Sequence, residues 1–75
     1  MRAKSISADL RVAFGRNCRA ARIEKGLTQR DVGAIVGLAQ QNVALVEIGK
    51  ANVTLDTMVR MALAVDRDLI SLFVP

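Results

Sequence analysis

The sequence predicts an all-α fold of five short helices and no sheet. Three observations carry this. Apolar residues recur at spacings of three and four, and no stretch alternates at period two. Much of the 52% hydrophobic content is Ala, Val and Leu, which suits compact helices. Cap residues and glycines also punctuate the chain at helix-length intervals: Ser7, Gly26, Thr28, Gly37, Gly49 and Thr54.

Residues 1–8 read as a flexible basic arm carrying Arg2 and Lys4, followed by one helical domain over 9–75. Ser7, with Asp9 in the first turn, is the expected N-cap of helix 1, which reaches to about Lys25. Leu10, Phe14, Cys18 and Ala21 form its expected buried stripe, and Gly26 closes it in a left-handed conformation. Thr28 and Asp31 make a capping box, with Asp in place of the usual Glu, and open helix 2 over about Gln29 to Val36. Gly33 costs that helix about 1 kcal/mol of propensity, so close approach of helix 3 is its expected purpose. Helix 3 follows the break at Gly37-Leu38, runs from about Ala39 to Ile48 and ends at Gly49. Lys50 to Val53 form a loop, and Thr54 caps helix 4, with Asp56 favourably placed against its dipole. Its expected core stripe is Leu55, Met58, Ala62 and Val65. Asp66 to Asp68 break it, and Leu69 to Phe73 form a fifth helix before Pro75.

Helices 2 and 3, joined by a short glycine-containing turn, have the outline of a helix-turn-helix, whose second helix enters the DNA major groove. Helix 3 shows glutamines outside and Val43 and Val46 inside. Charge is consistent with a polyanionic partner. Residues 1–30 hold eight Lys/Arg against Asp9 and Glu24, giving +6, whereas residues 31–75 hold three against five Asp/Glu, giving −2. A soluble charged helix face is the plainer reading of the same asymmetry.

Composition excludes other classes. At 75 residues a single small domain with a thin core is expected, and self-association is a natural way to add burial. Two aromatics, Phe14 and Phe73, are too few for the stacking platforms of RNA or single-strand binders. Lone Cys18 and the absence of histidine argue against a disulfide or zinc site and for a reduced, cytoplasmic setting. Met1 to Asp9 has no signal-peptide core, and the charge-free run from Val32 to Val46 falls short of the ~20 residues of a membrane span. Neither a cofactor nor a small-molecule ligand is expected. Without histidine or any arrangement of acid, base and nucleophile, no enzyme is expected either.

Between Phe14 and Phe73 the chain resembles the Cro/repressor class of helix-turn-helix proteins, the xenobiotic-response-element family. This class includes lambdoid phage repressors and restriction-modification controller proteins. The resemblance rests on Arg22-Ile23-Glu24-Lys25-Gly26-Leu27-Thr28-Gln29, Gly37-Leu38, Val43 and Val46. Glu47, Gly49-Lys50, Thr54-Leu55-Asp56-Thr57, Leu69 and Leu72-Phe73 complete it. It implies a compact, lambda-repressor-like domain.

The resemblance further implies that Gln29 contacts a DNA phosphate and that Ala39, Gln40 and Gln41 open the recognition helix. A glutamine amide donates and accepts at once, matching adenine N6 and N7, and one such pair is worth roughly 1–3 kcal/mol of discrimination. A solvated amide face is the plainer alternative. Arg22 and Glu47 match a pair the family uses to tie helix 1 to helix 3, best read as a positional lock.

Several residues depart from the family pattern. Ala39 replaces the usual capping Ser or Thr, and Ala44 a common serine, while Leu45 and Ile48 stand where polar residues often touch DNA. Base contacts are therefore expected from Gln40, Gln41, Ala44 and Leu45, the last two meeting thymine methyls. Helix 3 carries no cation, so phosphate contacts are expected from Thr28, Gln29, Arg30, Ala39, Lys50 and Arg16. The Arg2/Lys4 arm and Arg19 are further candidates, Arg19 equally as an exposed helix residue. Leu63 and Ile70 are apolar where relatives are polar. With Val59, Phe73 and Val74 they form either ordinary core or the interface of a twofold homodimer built through helices 4 and 5.

The expected function is a dimeric transcriptional regulator, a repressor or controller, acting on double-stranded DNA at a palindromic operator. It would occupy a promoter or touch RNA polymerase beside it. The alternative is an antitoxin-type interaction module that neutralises a partner toxin and autoregulates its operon.

Overall fold

A computed structural model describes the backbone over residues 3–75 and the side chains over residues 6–75. The described residues form four α-helices: α1 (Ala3–Glu24), α2 (Gln29–Val36), α3 (Gln40–Glu47) and α4 (Leu55–Ala64). A single 3₁₀ turn, Ile70–Phe73, takes the place of the expected fifth α-helix. With Asp66 in a left-handed conformation just before it and Pro75 just after, the segment is too short to recover the cost of nucleating an α-helix. Carbonyls there are held from outside instead: Asn17 Nδ2 donates to Leu72 O and to Val74 O, each at 2.7 Å.

Helix α1 begins at Ala3, so the boundary expected near residue 8 falls inside a helix and Ser7 does not cap it. No Gly or Pro interrupts residues 3–14, and adding a turn to an existing helix is far cheaper than starting one. Ser7 Oγ instead accepts a hydrogen bond from Arg11 Nη1 one turn on, at 3.4 Å. Arg2 and the side chain of Lys4 lie outside the described residues.

The core gathers Phe14, Cys18 and Ala21 from α1, Val32 and Val36 from α2, and Val43 and Val46 from α3. Helix α4 and its cap add Met61, Ala62, Ala64 and Val65, and the C-terminal turn adds Leu72. Phe14 stacks on Phe73 with ring centroids 5.2 Å apart. Two expected core residues are outside. Leu10 is 43% exposed because α1 projects there beyond the other helices, and Leu55 is 65% exposed on the opening turn of α4. The true α4 stripe is Met58, Met61, Ala62 and Val65, the i, i+3, i+4, i+7 face of a helix.

Local chemistry sets the joints. Thr28 Oγ1 accepts from Asp31 N at 3.0 Å while Asp31 Oδ2 accepts from Thr28 N at 2.9 Å, the reciprocal box the sequence predicts. These two bonds hold the Asp31 carboxyl below its ordinary range. Thr54 Oγ1 accepts from Thr57 N at the start of α4. Gly37 adopts φ +81°, and its N–H and that of Leu38 both return to the Gly33 carbonyl, turning the chain sharply into α3.

Candidate nucleic-acid interface

Two buried valines, Val43 and Val46, pin α3 to the core and thereby decide which of its residues face outward. Gln40 and Gln41, its first two residues, are exposed, as are Ala39 and Asn42 beside them. Leu45 is 41% and Ile48 58% exposed, and Ala44 is half-buried. The outer face of α3 is thus two amides at its start and an apolar strip behind them. Ala39 occupies the N-cap in extended conformation with no side-chain bond to the helix. Backbone donors in that first turn point outward, an arrangement suited to an anion.

Thr28 and Arg30 are exposed around the start of α2, and Lys50 is exposed just after α3. Arg16 lies elsewhere: its Nη2 donates to the Val74 carbonyl at 3.4 Å, which turns the guanidinium toward the C-terminal turn. Arg19 is exposed on α1. Gln29 is half-buried and folded inward, its Nε2 donating to Glu47 Oε1 at 3.0 Å.

Arg22 and Glu47 form the lock expected of them. Arg22 Nε lies 2.6 Å from Glu47 Oε2 and Nη2 3.1 Å from Oε1, while Nη1 donates to the Leu27 carbonyl at 2.9 Å. The Glu47 side chain is 2% exposed, and its hydrogen bond holds the Arg22 guanidinium above its ordinary pKa. Nearby Cys18 is pushed up to about 12 by burial and, less strongly, by the Glu47 charge, so its thiol stays neutral. This cysteine packs; it carries no chemistry.

Three structural supports are not legible from helix patterning. Gly15 lets α1 cross the end of α3, since a Cβ there would strike the carbonyl oxygen of Val46 and lie 2.8 Å from that of Glu47. An isolated glycine inside a good helical run was the available signal. Asn17 clasps the C-terminal turn, and Arg11 Nη1 donates to Asn52 Oδ1 at 3.0 Å, tying α1 to the α3–α4 loop. Gly33 does make room, but chiefly for the Leu38 carbonyl of the turn, with Val43 Cγ2 of α3 at 3.6 Å from the position of a Cβ.

Residues 19–72 match the family model described as Helix-turn-helix. The chain is 37% identical over 67 residues to the uncharacterized HTH-type transcriptional regulator y4dJ of Sinorhizobium fredii, covering 89% of this chain and 87% of that one. Among solved structures it is similar to the restriction-modification controller protein C.AhdI from Aeromonas hydrophila. That match has a TM-score of 0.78 and 36% identity, covering 84% of this chain and 96% of C.AhdI. It is similar also to the hypothetical transcription factor NHTF from Neisseria, with a TM-score of 0.82 and 30% identity over 92% of this chain and 79% of that one. The exposed start of α3, the αL turn before it and the buried lock behind it therefore sit in a known frame, and the chain belongs to the helix-turn-helix family of Cro/C1-type DNA-binding transcriptional regulators.

Proposed function

We propose that this protein regulates transcription as a homodimer that binds a palindromic operator, reading bases with Gln40 and Gln41 and supplementing them with Ala44 and Leu45. The observation that carries this reading is the outer face of α3, where two exposed amides stand ahead of an exposed leucine on a helix pinned by Val43 and Val46. A glutamine amide suits adenine, and the aliphatic groups suit thymine methyls. Thr28, Arg30, Lys50 and the backbone at Ala39 flank that face and supply phosphate contacts, with Gln29 contributing through its remaining amide hydrogen. Arg16, bonded to Val74, joins them only if it swings away from the C-terminal turn.

The dimer reading is supported by apolar exposure at the opposite end of the chain. Ile70 is 80%, Leu63 74%, Val74 56% and Val59 40% exposed, and half-buried Phe73 lies beside them. An apolar groove of about 480 Å³, lined by Ile6, Leu10, Phe14, Val53, Met58 and Phe73, continues this surface. Exposed apolar area of this kind marks an interface. A twofold axis there sets two recognition helices about 34 Å apart, one helical turn of DNA.

Selection of bound duplexes from a random pool tests the proposal. It should return an inverted repeat with half-sites about one turn apart, and binding should fall steeply with salt. Gln40→Ala should relax preference at one base pair of each half-site and leave binding to unrelated duplex nearly unchanged. A pool that returns no sequence, or an almost flat salt dependence, would sink the reading.

A further inference from the structure

Glu47 is the last residue of α3, and its buried carboxylate gathers three N–H donors. Two belong to Arg22 of α1, and the third is Nε2 of Gln29, the first residue of α2, at 3.0 Å. Arg22 also holds the Leu27 carbonyl just before α2. Among the described residues, Gln29–Glu47 is the side-chain hydrogen bond that joins α2 directly to α3. Its acceptor is a carboxylate sealed from water, where a hydrogen bond is stronger than between neutral groups in solvent.

The placement gives this bond leverage. It lies at the beginning of α2 and the end of α3, whereas the Gly37 turn connects the end of α2 to the beginning of α3. The two helices are therefore fastened at both open and closed ends. Without Gln29, α2 would be tied to α3 only by the turn and by packing of apolar side chains, which resists separation better than small rotations.

We propose that Gln29 is a positioning residue for base reading. By donating to Glu47 it sets the angle of α3 to the first turn of α2, and so decides how Gln40 and Gln41 meet base edges. This rests on the DNA-binding reading above and goes beyond it, because the role requires no contact between Gln29 and DNA. The amide nitrogen carries two hydrogens, one given to Glu47 and one left for a phosphate, so a backbone contact and the lock share a single atom.

Gln29→Met keeps the length of the side chain and removes the donor. Its affinity is compared with wild type on a duplex enriched from a random pool and on a scrambled duplex of equal length. The ratio of the two affinities should drop about tenfold, on the scale of one hydrogen bond to a charged group. Affinity for the scrambled duplex should stay within about twofold, and the salt slope should not change. Equal losses on both duplexes would make Gln29 a phosphate contact only and overturn the proposal; so would an unchanged ratio. NMR of the DNA-free protein tests the bond independently. A Gln29 side-chain N–H proton should exchange more slowly than those of Gln40 and Gln41, and Gln29→Met should move amide resonances around Glu47. Gln29 protons that exchange as fast as those of Gln40 and Gln41 overturn the proposal whether or not DNA binds. Failure of any duplex to be enriched overturns the DNA reading and the specificity role with it, while the NMR result still decides the lock.

Discussion

Gly15 lies where α1 crosses the end of α3, and Gly15→Ala there sets two effects of opposite sign against each other. Alanine in mid-helix gains about 1 kcal/mol over glycine in helix propensity. Against this, the new Cβ would collide with the Val46 carbonyl oxygen and lie 2.8 Å and 2.9 Å from the carbonyl oxygen and carbon of Glu47. These are backbone atoms of a packed helix end, held by the Glu47 bonds to Arg22 and Gln29, so no flexible side chain can swing aside. Overpacking of a core typically costs 1–3 kcal/mol, and contact with two carbonyl groups belongs at or above the top of that range. The collision therefore wins, and the net loss should be about 2 kcal/mol. In a domain of this size that lowers Tm by roughly 8–16 °C. Urea denaturation of Gly15→Ala, with exposed Ala20→Gly in the same helix as a propensity control, measures it. The control should lose about 1 kcal/mol. A Gly15→Ala protein as stable as wild type, or more so, would refute the claim that α1 and α3 touch through backbone at this point.

The lock, the cap and the apolar end of the chain yield three more tests. Arg22→Met leaves the Glu47 carboxylate buried and unpaired and should cost about 3–5 kcal/mol in denaturant titration, whereas Arg22→Met combined with Glu47→Leu should recover most of it. Thr28→Ala removes one half of the capping box and should cost about 0.5–2 kcal/mol. Because the folded Asp31 carboxyl sits below its ordinary range, its contribution is complete above the unfolded value and disappears as pH falls through the lowered folded one. Asp31→Asn should flatten that part of the acid limb, and thermal melts between pH 7 and 3 would show it; an unchanged limb would mean the carboxylate is not held. Ile70→Glu, at a residue 80% exposed, should leave the melting temperature of dilute protein nearly unchanged and shift sedimentation toward monomer; an unaltered dimer would move the interface elsewhere.

Helix interiors and joints of the motif were legible where the cause is local. Thr28, Asp31, Gly37 and Thr54 act on backbone groups within four residues, so α2 has the bounds its cap residues predict and α4 starts at its expected cap. The buried faces of α2 and α3 follow equally well, because both helices lie in the middle of the fold and have neighbours along their whole length. The ends of α1 and α4 were harder. Leu10 and Leu55 carry the right periodicity, but periodicity says which face is apolar and not how far a neighbour extends to cover it. For the same reason Ser7, a good cap in isolation, is bypassed by a helix that simply continues through it.

The sequence by itself determined the helical class, the turn between α2 and α3, the outward-facing pair Gln40 and Gln41, and the partnership of Arg22 with Glu47. These depend on periodicity, cap chemistry and family resemblance. Only the tertiary structure decided that the C-terminal segment is a 3₁₀ turn clasped by Asn17, and that Arg16 turns toward Val74. It also decided that Gly15 admits the end of α3 and that Gln29 closes onto Glu47. Each of these is set by a contact between residues far apart in the chain, at least 18 positions for Gln29 and Glu47, whose geometry depends on how whole helices cross. Spacing along one helix contains no record of that angle.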